Sequence, residues 1–226
     1  MENKNLSVEI HDGYFSARIL HPTDKRFKIK VNDIYYDLNN NGKQEFFPFQ
    51  FGETQYRITL YRQVTGTKYT ADGRVTVTPH FSSKDAPFLC QNQYVRYDDS
   101  SEPVLWAKGN LLDLEMNAIP SNIRHFIKAN FSYDYIKACK VSKKGVLPDI
   151  DSTWQNRAGI CQDLAALAVC LLRTCQIPAK LVIGHADKKY HAWVEFELNG
   201  RKMRYDPTVD VGALRKPNKY IKERWY

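Results

Sequence analysis

The dipeptide Asn199-Gly200 constrains this chain more than any other feature, because it fixes how two strands pair. Upstream of it, Ala192, Val194, Phe196 and Leu198 alternate with His191, Trp193, Glu195 and Glu197, the period-two pattern of a strand with one buried face. Asn-Gly is the strongest signal for a two-residue hairpin turn, and such a turn sets the register by counting outward. Leu198 then faces Arg201, Glu197 faces Lys202 and Glu195 faces Arg204. The last two pairs share a face and carry opposite charges, which independently supports the count. Carried further, it sets Trp193 opposite Asp206 and His191 opposite Thr208. His191 and Asp206 become diagonal neighbours, about 7–8 Å apart at the backbone, within reach of a side-chain hydrogen bond. Pro207 ends regular pairing just beyond. A carboxylate so placed would hold one imidazole nitrogen and stabilise the protonated ring.

Upstream of this hairpin lies a segment of helical character. From Ile160 to Cys175, Leu164, Leu167, Ala168 and Leu171 fall on one stripe and alanine is frequent. Cys161 therefore sits at or near a helix N-terminus, where free N–H groups and the positive dipole end stabilise a thiolate. The same N–H groups can donate to an oxyanion on an attacked carbonyl, and Gly159 would let a substrate backbone approach. Thiol, imidazole and carboxylate arrive in the order Cys161, His191, Asp206, which suggests a nucleophile, its base and the base's orienter. His185 falls on the preceding strand and reads as a bystander. His11, His21, His80 and His125 have no evident partner.

The rest of the chain reads as two domains, 1–88 and 89–226. In the first, Phe27, Ile29 and Val31, then Tyr56, Ile58 and Leu60, then the run Arg74 to Thr78, alternate as strands. Turn clusters at Asn39 to Gly42, Thr65-Gly66 and Asp72-Gly73 separate them, predicting an antiparallel β-sandwich-like domain. Asp37-x-Asn39-x-Asn41-Gly42 begins like a calcium-binding loop, but Pro48 stands where that loop needs a glutamate, so a polar hairpin turn is expected. In the second, Ser101-Glu102-Pro103 looks like a helix start, and Ser121 caps a helix carrying Ile123, Phe126, Ile127 and Asn130. A loop from Gly145 to Thr153 precedes the cysteine helix, and strands follow Pro178.

Composition bounds the function classes. With 226 residues, 43% hydrophobic and 26% charged, the chain can bury real cores and is neither disordered nor a membrane protein. No apolar run nears the ~18 residues of a membrane span, and Met-Glu-Asn-Lys-Asn is not a leader, so the expectation is a cytoplasmic protein, or an extracellular one whose leader has been removed. Five cysteines spread over the chain fit neither a disulfide framework nor, without a C-x-x-C pair, a zinc site. Cys170 and Cys175, on the apolar helix, are expected to be buried hydrophobes. The net charge of +8, with Arg215, Lys216, Lys219, Lys222 and Arg224 near the C-terminus, favours anionic surroundings such as a cell-wall or surface polymer. No nucleic-acid-reading motif accompanies that charge.

Four separated blocks carry a resemblance. Trp154 with Arg157 to Ala165, Leu172-Arg173 with Ile177 to Gly184, Tyr190 to Glu195, and Tyr205 to Thr208 resemble the bacterial members of the transglutaminase-like superfamily, which belongs with the papain-like cysteine enzymes. The likeness covers about residues 110 to 210, and the preceding β-domain resembles one those proteins often carry. It implies an α+β catalytic domain with the cysteine helix packed on an antiparallel sheet, and a triad of Cys161, His191 and Asp206. It also implies acyl transfer from a peptide or isopeptide amide, without metal or cofactor. Hydrolysis is the expected outcome; protein-glutamine cross-linking and a non-catalytic scaffold of the same fold are the alternatives. Nothing matches the calcium sites of the animal enzymes or the zinc module of peptide:N-glycanase relatives. A tryptophan upstream of the cysteine donates to the oxyanion in the animal enzymes; His125 stands at roughly that spacing, leaving the role unassigned. Trp193, Trp154 and Gln155 are the candidates for lining a substrate cleft.

Overall fold

The computed structural model describes residues 5–141 and 146–226, so Gly145, the expected start of a loop, lies outside the described residues. The chain divides into two compact units, Met1–Pro87 and Phe88–Tyr226. No helix among the described residues is long and apolar enough to cross a membrane.

The first unit holds β1 (Leu6–Ile10), β2 (Tyr14–Ile19), β3 (Phe27–Val31), β4 (Ile34–Leu38), β5 (Glu45–Pro48), β6 (Tyr56–Thr65) and β7 (Lys68–Val77). They form two antiparallel sheets, β1-β2-β5 and β4-β3-β6-β7. The alternation in β3 and the first half of β6 buries Phe27, Ile29, Val31, Tyr56, Ile58 and Leu60, and Phe15, Phe47 and Phe49 complete an aromatic core. Two local expectations fail. The segment after Asp37 is no hairpin, because β4 pairs with β3 and β5 with β2, so the chain crosses from one sheet to the other there. The carboxylate of Glu45 holds that crossing by accepting from the backbone and side chain of Asn39. Asp72-Gly73 does not end a strand either. Leu60 pairs with Gly73 and Tyr61 with Ala71, leaving Asp72 as the extra residue of a β-bulge inside β7.

The second unit runs α1 (Glu102–Asn110), α2 (Ile119–Asn130), β8 (Ser132–Tyr133), α3 (Tyr135–Val141), α4 (Ile150–Asn156), β9 (Ala158–Gly159), α5 (Cys161–Thr174), β10 (Ala179–Ala186), β11 (Lys189–Leu198), β12 (Arg201–Tyr205), α6 (Pro207–Asp210) and β13 (Tyr220–Trp225). The main sheet is antiparallel with order β12-β11-β10-β13. Helix α5 is the centre of the unit. Every residue from Asp163 to Arg173 is buried, because the sheet covers one side and α1, α2, α4 and α6 cover the rest. Burying Leu164, Leu167, Leu171 and Leu172 stabilises the unit by about 1.5–3 kcal/mol each. The apolar stripe is thus wider than one face, and Cys170 and Cys175 lie within it. Arg173 stays buried because its guanidinium donates to the carbonyls of Cys90, Ala179 and Tyr226. Helix α1 begins beside Pro103 as expected, whereas α2 starts at Ile119 with Ala118 as its N-cap, ahead of Ser121. Part of the expected loop before the cysteine is helix α4, whose N-cap Asp149 accepts from the Ser152 N–H at 2.9 Å.

Candidate active site

Cys161 is the first residue of α5, and Ile160 before it is extended, with φ −84° and ψ 177°. The entry to this helix is held by Asp163, whose Oδ2 accepts from the Ile160 N–H at 3.0 Å and pairs with Lys137 Nζ at 2.7 Å. Its Oδ1 is buried with no hydrogen-bond partner among the described residues. Gly159 serves this packing and not an incoming chain. A Cβ there would stand 2.8 Å from Asp163 Cβ and 3.0 Å from Thr153 Cγ2, so its open side is already filled.

The hairpin forms in the register read from Asn199-Gly200: Leu198 pairs with Arg201, Glu197 with Lys202 and Glu195 with Arg204. The ladder stops one pair earlier than expected, at Val194 and Tyr205. Trp193 and His191 therefore have no ladder partners in Asp206 and Thr208. Asp-Pro-Thr is a helix start: Asp206 is the N-cap of α6, its Oδ1 accepts from the Thr208 N–H at 3.1 Å, and Pro207 opens the turn. Arg124 of α2 grips the other end of α6 through a two-pronged bond to Asp210 at 2.7 and 2.8 Å. Leaving the strand does not separate the pair. His191 Nε2 lies 2.9 Å from Asp206 Oδ2, with the two residues only 6% and 9% exposed.

The Cys161 side chain acts on the same ring and favours its protonated form. With Nε2 committed to Asp206, Nδ1 is the nitrogen left for the thiol. Burial alone would push the pKa of His191 down, but Asp206 and Cys161 overcome it and raise it from 6.5 to about 9. A partly exposed thiol, a ring that favours its protonated form and a fixed carboxylate thus act on one another.

Tyr220 was not legible as part of this group. Its hydroxyl donates to Asp206 Oδ2 at 2.8 Å, and burial, followed by that carboxylate, pushes its own pKa up. It arrives on β13, which reaches the site through Gly184. A Cβ on Gly184 would stand 2.0 Å from the Ile221 carbonyl oxygen, and the pairing of β10 with β13 shifts register between Ile183 and Gly184. A glycine opposite a histidine in a strand was the available signal, since Gly184 pairs with His191.

Of the expected cleft-lining residues, Trp193 and Trp154 are buried and Gln155 is exposed. Trp193 is fully buried; its indole stacks near His191 at 6.5 Å between centroids, meets Tyr220 edge-on at 5.0 Å and donates to Glu195. It backs the imidazole and presents no surface to a ligand. Trp154 is also buried, within a cluster of Trp106, Phe126 and Phe131 capped by the Arg157 guanidinium 4.3 Å from its ring centroid. Gln155 is exposed on α4. His185 points to the other face of the sheet from His191, 2.9 Å from Glu223. His125 is exposed on α2 beside Ser121. Among the described residues, no group of three or more His, Cys, Asp or Glu side chains could hold a metal ion.

Residues 115–207 match the transglutaminase-like superfamily. That match lies within the second unit and supports its assignment to the superfamily. Among solved structures, a candidate cysteine protease from Cytophaga hutchinsonii is 19% identical, with 98% of this chain and 74% of that one aligned and a TM-score of 0.50. The periplasmic domain of TgpA from Pseudomonas aeruginosa, in its ethylmercury-bound form, is 14% identical over 92% of this chain and 76% of that one, with a TM-score of 0.42. At 19% identity the first of these shows a likeness of fold alone. No curated protein matches the chain. The transglutaminase-like fold accounts for the buried α5 lying across the sheet that carries His191.

Proposed function

We propose that the protein is a cysteine-dependent acyl-transfer enzyme that hydrolyses peptide or isopeptide amides through Cys161, His191 and Asp206. The observation that carries this reading is the buried His191 ring, bonded to the Asp206 carboxylate at 2.9 Å and drawn to its protonated form by that carboxylate and by Cys161. Two buried ionisable groups held 2.9 Å apart against a cysteine at a helix N-terminus form the arrangement that nucleophilic catalysis requires.

In the proposed cycle, Nδ1 of His191 takes the thiol proton and Sγ of Cys161 attacks the amide carbonyl carbon. The carbonyl π electrons move to oxygen, where the N-terminal N–H groups of α5 stabilise them. His191 then delivers its proton to the leaving amine as the C–N bond breaks, leaving a thioester on Cys161. Water, deprotonated by the same ring, attacks that thioester and regenerates the thiol. Asp206 keeps its charge throughout and holds Nε2–H, with Tyr220 and the Thr208 N–H fixing the carboxylate.

The test compares cysteines within one molecule. Cys139 is exposed and Cys161 only partly so. Accessibility alone would make Cys139 react faster with iodoacetamide near neutral pH. The reading expects Cys161 to label faster than Cys139 and Cys90, and expects a peptide library to be cleaved by the wild type and left intact by Cys161→Ala. Labelling that follows exposure, with no cleavage that depends on Cys161, would refute it.

A further inference from the structure

The notable neighbour of Cys161 not yet given a role is Tyr133. Strand β8 pairs in parallel with β9, placing Tyr133 beside Gly159, two residues before the cysteine. The pairing is held at both ends. The Ser132 N–H donates to the Arg157 carbonyl at 2.9 Å, and the Asp134 N–H donates to the Gly159 carbonyl at 3.0 Å. The following helix is pinned to α5 by the Lys137 to Asp163 ion pair at 2.7 Å, and Asp134 itself accepts from the Lys137 N–H at 2.7 Å. A residue 28 positions upstream of Cys161 is therefore fixed on the rigid element that delivers the cysteine. The Cys161 backbone and side chain are among the groups that act on its phenol, which lies close to the start of α5. Tyr135 packs edge-on against its ring at 5.0 Å.

We propose that the Tyr133 hydroxyl is the side-chain donor to the oxyanion formed on the carbonyl that Cys161 attacks. This rests on the catalytic reading of Cys161 above. The Cys161 N–H is the backbone donor nearest the attacked carbonyl in that reading, and the β8–β9 pairing sets Tyr133 beside the same end of α5. An oxygen developing charge between the two would accept from both. The phenol is suited to donate and not to ionise, because burial, aided by Cys161, pushes its pKa up to about 12. During addition the C–S bond forms and the carbonyl π pair moves to oxygen; Tyr133 keeps its proton and supplies only a hydrogen bond. When the pair returns, the amine departs with the proton from His191. A fixed, uncharged donor aimed at the charge that develops only in the transition state lowers the barrier without tightening substrate binding.

Two reagents that use the same sulfur separate this role from others. Iodoacetamide alkylates Cys161 by displacement at a saturated carbon, with no oxyanion. p-Nitrophenyl acetate acylates it through a tetrahedral oxyanion, releasing p-nitrophenolate. Both rates are measured on wild type and Tyr133→Phe, with Cys161→Ala subtracted for the other cysteines. The proposal expects Tyr133→Phe to slow acylation by about 10- to 100-fold, as loss of one oxyanion donor does, while alkylation stays within about twofold. Equal slowing of both would mean that Tyr133 only positions or activates the thiol, and no slowing of either would mean it takes no part; both overturn the assignment and leave the catalytic reading standing. Wild-type Cys161 reacting with neither reagent above the Cys161→Ala background would remove the catalytic reading and this assignment together.

Discussion

Replacing Asp206 with asparagine keeps the shape of the side chain and removes its charge, which isolates what the carboxylate does for His191. An ordinary histidine releases its proton near 6.5 and His191 near 9, although burial works against the charged ring. That displacement is worth about 3 kcal/mol of preference for the protonated form. The hydrogen bond to Asp206 is the foremost cause that raises it, ahead of Cys161, so in Asp206→Asn burial should again dominate and the ring should titrate near or below 6.5. The sign for stability follows. Because the folded-state pKa is raised, the stabilisation is fully present below pH 6.5 and is lost as pH rises through about 9. The deficit of Asp206→Asn in urea unfolding should therefore be largest at pH 6 and shrink by about 3 kcal/mol by pH 10. The assay is NMR titration of the His191 ring in both proteins, alongside unfolding at the two pH values. A variant ring still titrating near 9, or a deficit that does not shrink with pH, would refute the idea that Asp206 sets the proton affinity of this imidazole.

Three further perturbations test the scaffold around it. Lys137→Met removes the cation paired with the fully buried Asp163 and should destabilise the protein by about 3–5 kcal/mol; urea unfolding checks this, and a cost under 1 kcal/mol would refute the idea that this ion pair holds the entry to α5. Gly184→Ala drives a methyl into the Ile221 carbonyl oxygen, so β13 should detach, seen as faster amide exchange at residues 221–225 than in wild type. Tyr220→Phe leaves the ring packed on Trp193 but takes one of three donors from Asp206, at a stability cost of about 1.5–3 kcal/mol for a bond to a charged group; an unfolding curve that superimposes on the wild type would show that water replaces the phenol.

What was legible in the sequence is local or periodic. Asn199-Gly200 set the hairpin register, and the match runs from Leu198 with Arg201 to Val194 with Tyr205. Alanine-rich amphipathicity placed Cys161 at the first turn of α5. What escaped the sequence depends on competition between local preferences. Asp206-Pro207-Thr208 can continue a strand or cap a helix, and capping wins because the Thr208 N–H and Arg124 both reward the turn. Trp193 alternates onto the His191 face as expected. Facing the right way did not reveal that Tyr220 and His191 would cover it completely. Gly159 reads as an opening because glycine is small, yet Thr153 and Asp163 take up the space.

The parts that escaped share a physical cause. Strand β13 follows β12 only after the turn of α6 and a connecting segment, and nothing periodic in Tyr220 to Trp225 says which edge of the sheet it will join. It joins β10, the neighbour of the strand carrying His191, because Gly184 removes the side chain that would block the Ile221 backbone. The Asp206 carboxylate is then held by two elements: β11 offers the imidazole and β13 offers the phenol. Its third donor, the Thr208 N–H, comes from the helical turn that Asp206 itself caps. A carboxylate with three donors resists rotation far better than one held by an imidazole alone, and an imidazole whose partner cannot rotate keeps its other nitrogen aimed at the thiol. The orientation of the proposed nucleophile thus depends on a glycine in β10 that touches none of the reacting groups. Loosening β13 should for that reason cost Cys161 its reactivity before it costs the protein its fold.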